Sequence, residues 1–245
     1  MHSFAVPAFL LGLLAALVLS PVPAGAESTP PATPAVIAIV GDSLADGMWG
    51  GLYKLVQKDK KFTLFRGAKN SVGFTGAALT DMLDRAFAAG ETHALVMMIG
   101  ANDRRSFFVD GKSRALLGTP AWIDFYRERV GKFMDHAAKK NVPLVWILLP
   151  AMRAADAQRD AELVNGLVVE AAKSRPHVLL IDTKALTVDD KGAYVAYFND
   201  LAGQKKLMRA SDGVHFAQAA YELIGDLVLK RLGEVSPRFK APARE

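Results

Sequence analysis

One short apolar run, Val36–Val40, leads into Gly41-Asp42-Ser43 and constrains the fold more than any other stretch of the chain. Four of its five residues are β-branched and none carries a charge. Such a run is typical of a strand that is buried on both faces in a parallel sheet. Because a helical pattern follows, Ser43 is predicted to lie just past the carboxyl end of this strand, at the edge where α/β sheets bind ligands. The alternative is that Ser43 only caps the next helix.

Predicted strands and helices alternate along the rest of the chain. The strands are expected at 36–40, 62–65, 94–99, 144–149 and 178–181, and the helices at 45–57, 75–89, 120–140, 157–173 and 216–232. Two long connections remain, at 100–118 and 182–214. This alternation predicts one α/β domain with a parallel sheet covered by helices on both faces.

The first residues differ from the rest in composition. Residues 4–19 are almost wholly apolar, and Ala24-Gly25-Ala26 is a small-x-small cleavage motif. We expect a signal peptide at 1–26, a flexible tether at 27–34, a folded domain at 35–236 and a loose tail at 237–245. Cleavage near Ala26 predicts an exported protein, periplasmic or secreted, without stable membrane insertion. An uncleaved anchor is the alternative, although the apolar run is shorter than the ~20 residues of a spanning helix.

Composition excludes several kinds of site. The chain has no cysteine, which excludes disulfides, thiolate metal sites and cysteine nucleophiles. The formal net charge is +5, but the basic residues are spread along the chain, and no nucleic-acid motif or metal-ligand spacing is present. The basic balance is compatible with an anionic or polysaccharide-rich setting.

Polar residues collect at the carboxyl edge of the predicted sheet. Ser43 follows the first strand, Asn102 follows the third, and Asp212 and His215 stand before the last helix. Among the five histidines, only His215 falls at this edge. A serine hydroxyl needs an adjacent base, imidazole has a suitable pKa, and a carboxylate three residues earlier can orient the ring. The N–H of Ser43, a glycine N–H and the Asn102 amide are candidate donors to an oxyanion.

These blocks resemble the motifs of the SGNH (GDSL-type) hydrolases. Gly41-Asp42-Ser43-Leu44, Gly100-Ala101-Asn102-Asp103 and Asp212-Gly213-Val214-His215 match three of that family's blocks in order, over roughly residues 35–232. The resemblance implies a three-layer α/β/α sandwich with a flavodoxin-like, five-stranded parallel sheet. It also implies Ser43 as the nucleophile, His215 as the general base, Asp212 as its orienting acid and Asn102 as an oxyanion donor.

The family's second block, which supplies the glycine donor, departs from the usual pattern. It falls within residues 70–76, where Gly73 takes the glycine place before x-Thr and Gly76 is the alternative donor. Directly after the third block, Arg104 and Arg105 are candidates for contact with an anionic substrate group, or else a solvated pair in a loop. Asp42 is predicted to be structural, and Asp103 to brace the loop of Asn102.

The sequence thus predicts an exported serine esterase that needs no metal or cofactor. Its acyl-enzyme on Ser43 would be hydrolysed by water, and export and charge favour O-acetyl or other short acyl groups on an envelope or secreted glycan. A lysophospholipase or thioesterase and a glycan O-acetyltransferase are alternative enzymes, and a non-catalytic glycan-binding envelope protein is the alternative from another class. A small-molecule or glycan ester is the expected partner and nucleic acid is not, while the oligomeric state stays open.

Overall fold

The computed structural model describes residues 33–74, 79–104, 106–108, 114–200 and 203–240. The predicted signal peptide and most of the predicted tether lie outside these ranges. In chain order the elements are β1 (Ala35–Gly41), α1 (Ser43–Val56), β2 (Phe62–Arg66), α2 (Leu79–Ala88), β3 (Ala94–Met98), β4 (Phe107–Phe108), β5 (Arg114–Ala115), α3 (Pro120–Ala138), β6 (Leu144–Ile147), α4 (Ala155–Ala172), β7 (Val178–Ile181), α5 (Lys184–Thr187), β8 (Tyr197–Asn199), β9 (Lys205–Leu207), α6 (Gln218–Val235) and a 3₁₀ turn (Pro237–Phe239).

Five strands form one sheet in the order β2-β1-β3-β6-β7, and all neighbouring pairs are parallel. The central strands β3 and β6 are buried at every position, whereas the edge strand β2 is partly exposed. Helix α1 lies on one face of the sheet, where it packs against α6, and α2, α3 and α4 lie on the other. The predicted three-layer sandwich with a flavodoxin-like sheet is confirmed.

Gly41 allows β1 and β3 to end side by side. Its φ is +136°, and a Cβ at this position would lie 2.0 Å from the carbonyl oxygen of Met98, the last residue of β3. Only glycine fits such a conformation and such a close approach. The segments that follow the two strands, which start at Asp42 and Ile99, therefore emerge next to each other at the carboxyl edge of the sheet.

The two long connections contain short elements that the sequence did not predict. β4 pairs with β5 and β8 pairs with β9, both antiparallel, and α5 is a single helical turn. Strands of two or three residues are too short to show a periodic pattern, so sequence analysis assigned them to loops. The predicted second helix, 75–89, corresponds to α2, which the structure describes from Leu79.

The prediction of a loose tail from residue 237 is wrong for its first residues. Ser236 caps the 3₁₀ turn by accepting a hydrogen bond from the Arg238 N–H. Phe239 is only 2% exposed and belongs to the hydrophobic core. Burial of one aromatic ring thus orders this end of the domain, and residues 241–245 lie outside the described part. None of the described helices is both long enough and apolar enough to cross a membrane.

Candidate active site

Ser43 is the first residue of α1, and Asp42 is the residue that caps this helix. The backbone of Asp42 is extended, and its Oδ1 accepts a hydrogen bond of 2.9 Å from the Leu44 N–H. The alternative that Ser43 merely caps the helix is therefore wrong. The Ser43 side chain is instead directed to His215, whose Nε2 lies 2.8 Å from Ser43 Oγ.

Asp212 holds the other side of the His215 ring. Its Oδ2 lies 2.6 Å from His215 Nδ1, and its Oδ1 accepts the backbone N–H groups of Val214 and His215 at 2.8 and 3.0 Å. Burial alone would raise the pKa of Asp212, but these hydrogen bonds outweigh it and lower the pKa to about 2. Because an ionised carboxylate can only accept, Nδ1 carries the ring proton of neutral His215, which leaves Nε2 to accept the Ser43 hydroxyl hydrogen.

Asp42 connects this serine to the loop that follows β3. Its side chain is fully buried, and its Oδ2 accepts the Gly100 N–H and the Asn102 side-chain amide, both at 3.3 Å. Burial raises the pKa of Asp42 from its ordinary value of 3.8 to about 6, and the N–H groups of Leu44 and Gly100 offset only part of this effect. One buried carboxyl group thus joins the start of α1 to the segment that carries Asn102.

The predicted oxyanion donors are brought near one another but do not all converge. The Asn102 amide also donates to the Val72 carbonyl oxygen at 3.1 Å, so both of its hydrogens have protein acceptors. The described peptide bonds are all trans, and the C=O and N–H of a trans peptide point in opposite directions. The Gly73 N–H, which shares a peptide group with the Val72 carbonyl, therefore points away from the Asn102 amide.

Gly73 packs its backbone closely against Asp103. A Cβ on Gly73 would lie 2.1 Å from Asp103 Oδ1, so a larger residue would displace this carboxyl group. Asp103 is fully buried and accepts a hydrogen bond of 3.0 Å from the Tyr126 hydroxyl. The alternative donor, Gly76, lies outside the described residues.

Arg104, predicted as a contact for an anionic substrate group, is already paired within the protein. Its Nε lies 2.5 Å from Asp160 and its Nη2 lies 2.6 Å from Asp156, and both carboxylates belong to α4. These two ion pairs tie the loop after β3 to α4, and contact of Arg104 with an anionic substrate group stays a prediction. Arg105 lies outside the described residues.

A pocket that sequence analysis did not predict opens beside these residues. It contains about 260 Å³ of empty space, including its open mouth. Apart from the backbone of Gly100 and the Arg104 side chain, its walls are apolar; they come from Ala101, Leu149, Met152, Ala157, Ala161 and Val214. Ala101 precedes Asn102 and Val214 precedes His215, so the pocket borders the two segments that carry these site residues. No local pattern marks these residues, since they come from four separate segments.

Residues 36–231 match the model of a family described as a protein of unknown function, DUF459. The chain belongs to the DUF459 family. The match covers all of the sheet except Ala35 and every residue of the predicted site. No curated protein has a sequence that matches this DUF459 chain.

Solved structures with the same fold are similar to this DUF459 protein. A lipase/acylhydrolase from Enterococcus faecalis superimposes with a TM-score of 0.58 at 16% identity, covering 86% of this chain and all of the other. An acetylxylan esterase from Geobacillus stearothermophilus gives 0.56 at 16% identity, with 82% and 95% covered. A GDSL-like lipase from Bacteroides thetaiotaomicron gives 0.55 at 14% identity, with 82% and 89% covered. The predicted resemblance to the SGNH hydrolases is thus confirmed for the fold.

Proposed function

We propose that this DUF459 protein is a serine hydrolase that cleaves ester bonds through an acyl-enzyme on Ser43. The observation that carries this proposal is the continuous line of hydrogen bonds from Ser43 Oγ through the His215 ring to Asp212, at 2.8 and 2.6 Å. A serine hydroxyl becomes a useful nucleophile when a base accepts its proton and a third group orients that base. The likeness in fold to acylhydrolases and esterases supports the same reaction class.

The proposed reaction has two halves. Ser43 Oγ attacks the ester carbonyl carbon while His215 Nε2 takes the hydroxyl proton, and Asp212 stabilises the resulting imidazolium. The imidazolium then returns the proton to the departing alcohol, which leaves the acyl group on Ser43. In the second half His215 accepts a proton from water, the hydroxide oxygen attacks the acyl carbon, and the acid leaves as Ser43 regains its proton.

Two donors support the negative oxygen that forms on the carbonyl. The Ser43 N–H lies in the first turn of α1, where backbone N–H groups lack helical partners and the helix dipole favours negative charge. The Asn102 amide becomes the second donor when the substrate oxygen replaces the Val72 carbonyl as its acceptor. One such donor is worth about 3 kcal/mol of transition-state stabilisation.

The pocket beside the site favours a short acyl group. Its largely apolar walls suit a hydrocarbon group, and its small size suits a short chain better than the long one of a lysophospholipid. We therefore propose that the substrate is an O-acetyl or similarly short ester, carried by a glycan outside the cytoplasm. The signal-like composition of residues 1–26 supports export.

Hydrolysis of p-nitrophenyl esters with acyl chains of two to about twelve carbons tests the proposal. We expect the acetate ester to be cleaved fastest, Ser43→Ala to abolish turnover, and an organophosphonate to label wild type but not that variant. Ser174→Ala is the matched control, because Ser174 lies in the turn before β7, at the opposite edge of the sheet. Undiminished activity in Ser43→Ala would refute the mechanism, and a preference for long chains would refute the short-acyl substrate.

A further inference from the structure

Arg209 is a buried cation directly beneath the loop that carries Asp212 and His215. It is 1% exposed, and its guanidinium carbon lies over the rings of Tyr194 and Phe216, 5.2 and 5.0 Å from the ring centres. In the described part of the chain, no carboxylate lies within ion-pair distance of it. Burying an unpaired charge is expensive unless hydrogen bonds replace the lost water.

Backbone carbonyl groups supply those hydrogen bonds. Three of them are consecutive: Nη2 donates to the carbonyl oxygens of Gly213 and Val214 at 3.2 and 2.8 Å, and Nε donates to that of His215 at 3.3 Å. Nη1 donates to the carbonyl oxygen of Ala151, in the loop after β6. The fork of one guanidinium therefore gathers three successive carbonyl groups and joins them to the edge of the sheet.

The same peptide groups also bind Asp212. The peptide that gives the Gly213 carbonyl to Arg209 gives its Val214 N–H to Asp212 Oδ1. The next peptide gives the Val214 carbonyl to Arg209 and its His215 N–H to the same oxygen. Because C=O and N–H point in opposite directions across a trans peptide, the cation on one side fixes two donors for the carboxylate on the other. Such chains of hydrogen bonds strengthen one another.

We propose that Arg209 is a positioning residue for the reaction, which holds Asp212 and His215 in the geometry that activates Ser43. The inference rests on the proposed function. Arg209 does not touch the substrate, because it is buried beneath the loop, so its loss acts on the chemical step and not on binding. No local sequence pattern predicts this role, although Arg209 lies only three residues before Asp212.

Arg209→Lys tests the proposal because lysine keeps the charge but lacks the fork. One ammonium group cannot reach the Ala151 carbonyl and the three loop carbonyls together, so we expect the loop to shift. A misplacement of about 1 Å costs about 100-fold in rate. With p-nitrophenyl acetate we expect kcat and the rate of organophosphonate labelling to fall about 100-fold, while KM stays within about twofold.

Arg175→Lys is the matched control. Arg175 also donates to a backbone carbonyl, that of Ala171, and pairs with Asp135, but it lies at the opposite edge of the sheet. We expect this variant to keep the wild-type kcat even where it lowers the melting temperature. The low-field proton NMR signal of the bond between His215 Nδ1 and Asp212 is expected to weaken or move in Arg209→Lys and to stay in Arg175→Lys.

Tyr194→Leu keeps the test decisive if Arg209→Lys does not fold. It removes one aromatic face from the guanidinium but leaves the arginine, so we expect a smaller loss of kcat with an unchanged KM and a shifted low-field signal. An active wild type whose Arg209→Lys or Tyr194→Leu variants are folded and keep kcat and the NMR signal would overturn the inference. A wild type that cleaves no ester would instead refute the proposed function, and the NMR signal would still report on Arg209.

Discussion

Replacement of Asp42 by asparagine should remove a pH dependence of stability that this one buried carboxyl group creates. Asp42 is fully buried, accepts the Leu44 and Gly100 N–H groups and the Asn102 amide, and has a pKa of about 6 in the folded protein. Asparagine has nearly the same shape and no charge. The variant therefore separates the effect of the charge from the effect of packing.

The size of the effect follows from the pKa of Asp42. Each pKa unit between the folded and unfolded states is worth about 1.36 kcal/mol, and the ordinary value of 3.8 rises to about 6 on folding. The folded protein therefore holds this proton more tightly than the unfolded chain does. The contribution of Asp42 to stability is highest below pH ~4 and falls as pH rises toward 6, and above that range the ionised carboxylate destabilises the fold by about 3 kcal/mol.

The Asp42→Asn variant lacks this charge but has a different fault. Its new amide group faces the Gly100 N–H and the Asn102 amide, both of which lose an acceptor, and each unsatisfied buried group costs about 1–3 kcal/mol. At pH 8 the stability gained by removing the charge and the stability lost at these two groups nearly cancel, so we expect a small net change in the free energy of unfolding. At pH 4 the Asp42 carboxyl group of the wild type is protonated, so the substitution removes no charge. The stability difference between wild type and variant should therefore be about 3 kcal/mol larger at pH 4 than at pH 8.

Urea unfolding of both proteins from pH 4 to 8 measures this difference directly. Subtraction of the two curves cancels the titration of all other groups, including Asp212. Asp81→Asn is the control, because Asp81 is exposed in the first turn of α2, and its difference curve should stay within about 0.5 kcal/mol of a constant. If the curve for Asp42→Asn varies by less than about 1 kcal/mol between pH 4 and 8, burial does not control the pKa of Asp42 and the reasoning fails.

Three further predictions concern the site and its frame. Asp212→Asn should lower kcat about 10⁴-fold at pH 7 with little change in KM, because the amide favours the wrong tautomer of the ring; a loss below about tenfold in ester assays would contradict its orienting role. Gly41→Ala should lower the melting temperature far more than Gly90→Ala, because both glycines have φ near +140° but only the first meets a carbonyl oxygen, at 2.0 Å; equal losses would show that the clash is relieved. Ala161→Leu should fill the pocket and reduce kcat/KM for butyrate more than for acetate, whereas the exposed Arg159→Leu should not, and unchanged acyl selectivity in both would place the acyl group elsewhere.

Much of the fold was predictable because the sequence patterns that specify it are local. Apolar runs of strand length marked all five strands of the sheet, and the alternation with helices predicted parallel strands with one common carboxyl edge. Residues that follow such strands must meet there, which is why Ser43 and His215 could be paired although 172 residues separate them. Asp212 is three residues from His215, so their contact is local as well.

Only the tertiary structure shows which charged side chains are paired or buried within the protein. Arg104 looked available from its position, but its partners Asp156 and Asp160 lie on α4, more than 50 residues later. No sequence pattern singled out Arg209, yet folding buries it among backbone carbonyl groups and two aromatic rings. Sequence patterns record periodicity and neighbours along the chain, whereas pairing, burial and the shape of the pocket depend on segments that meet only when the chain folds. The sequence therefore determined where the chemistry lies, and the packing of distant segments decided what holds it in place.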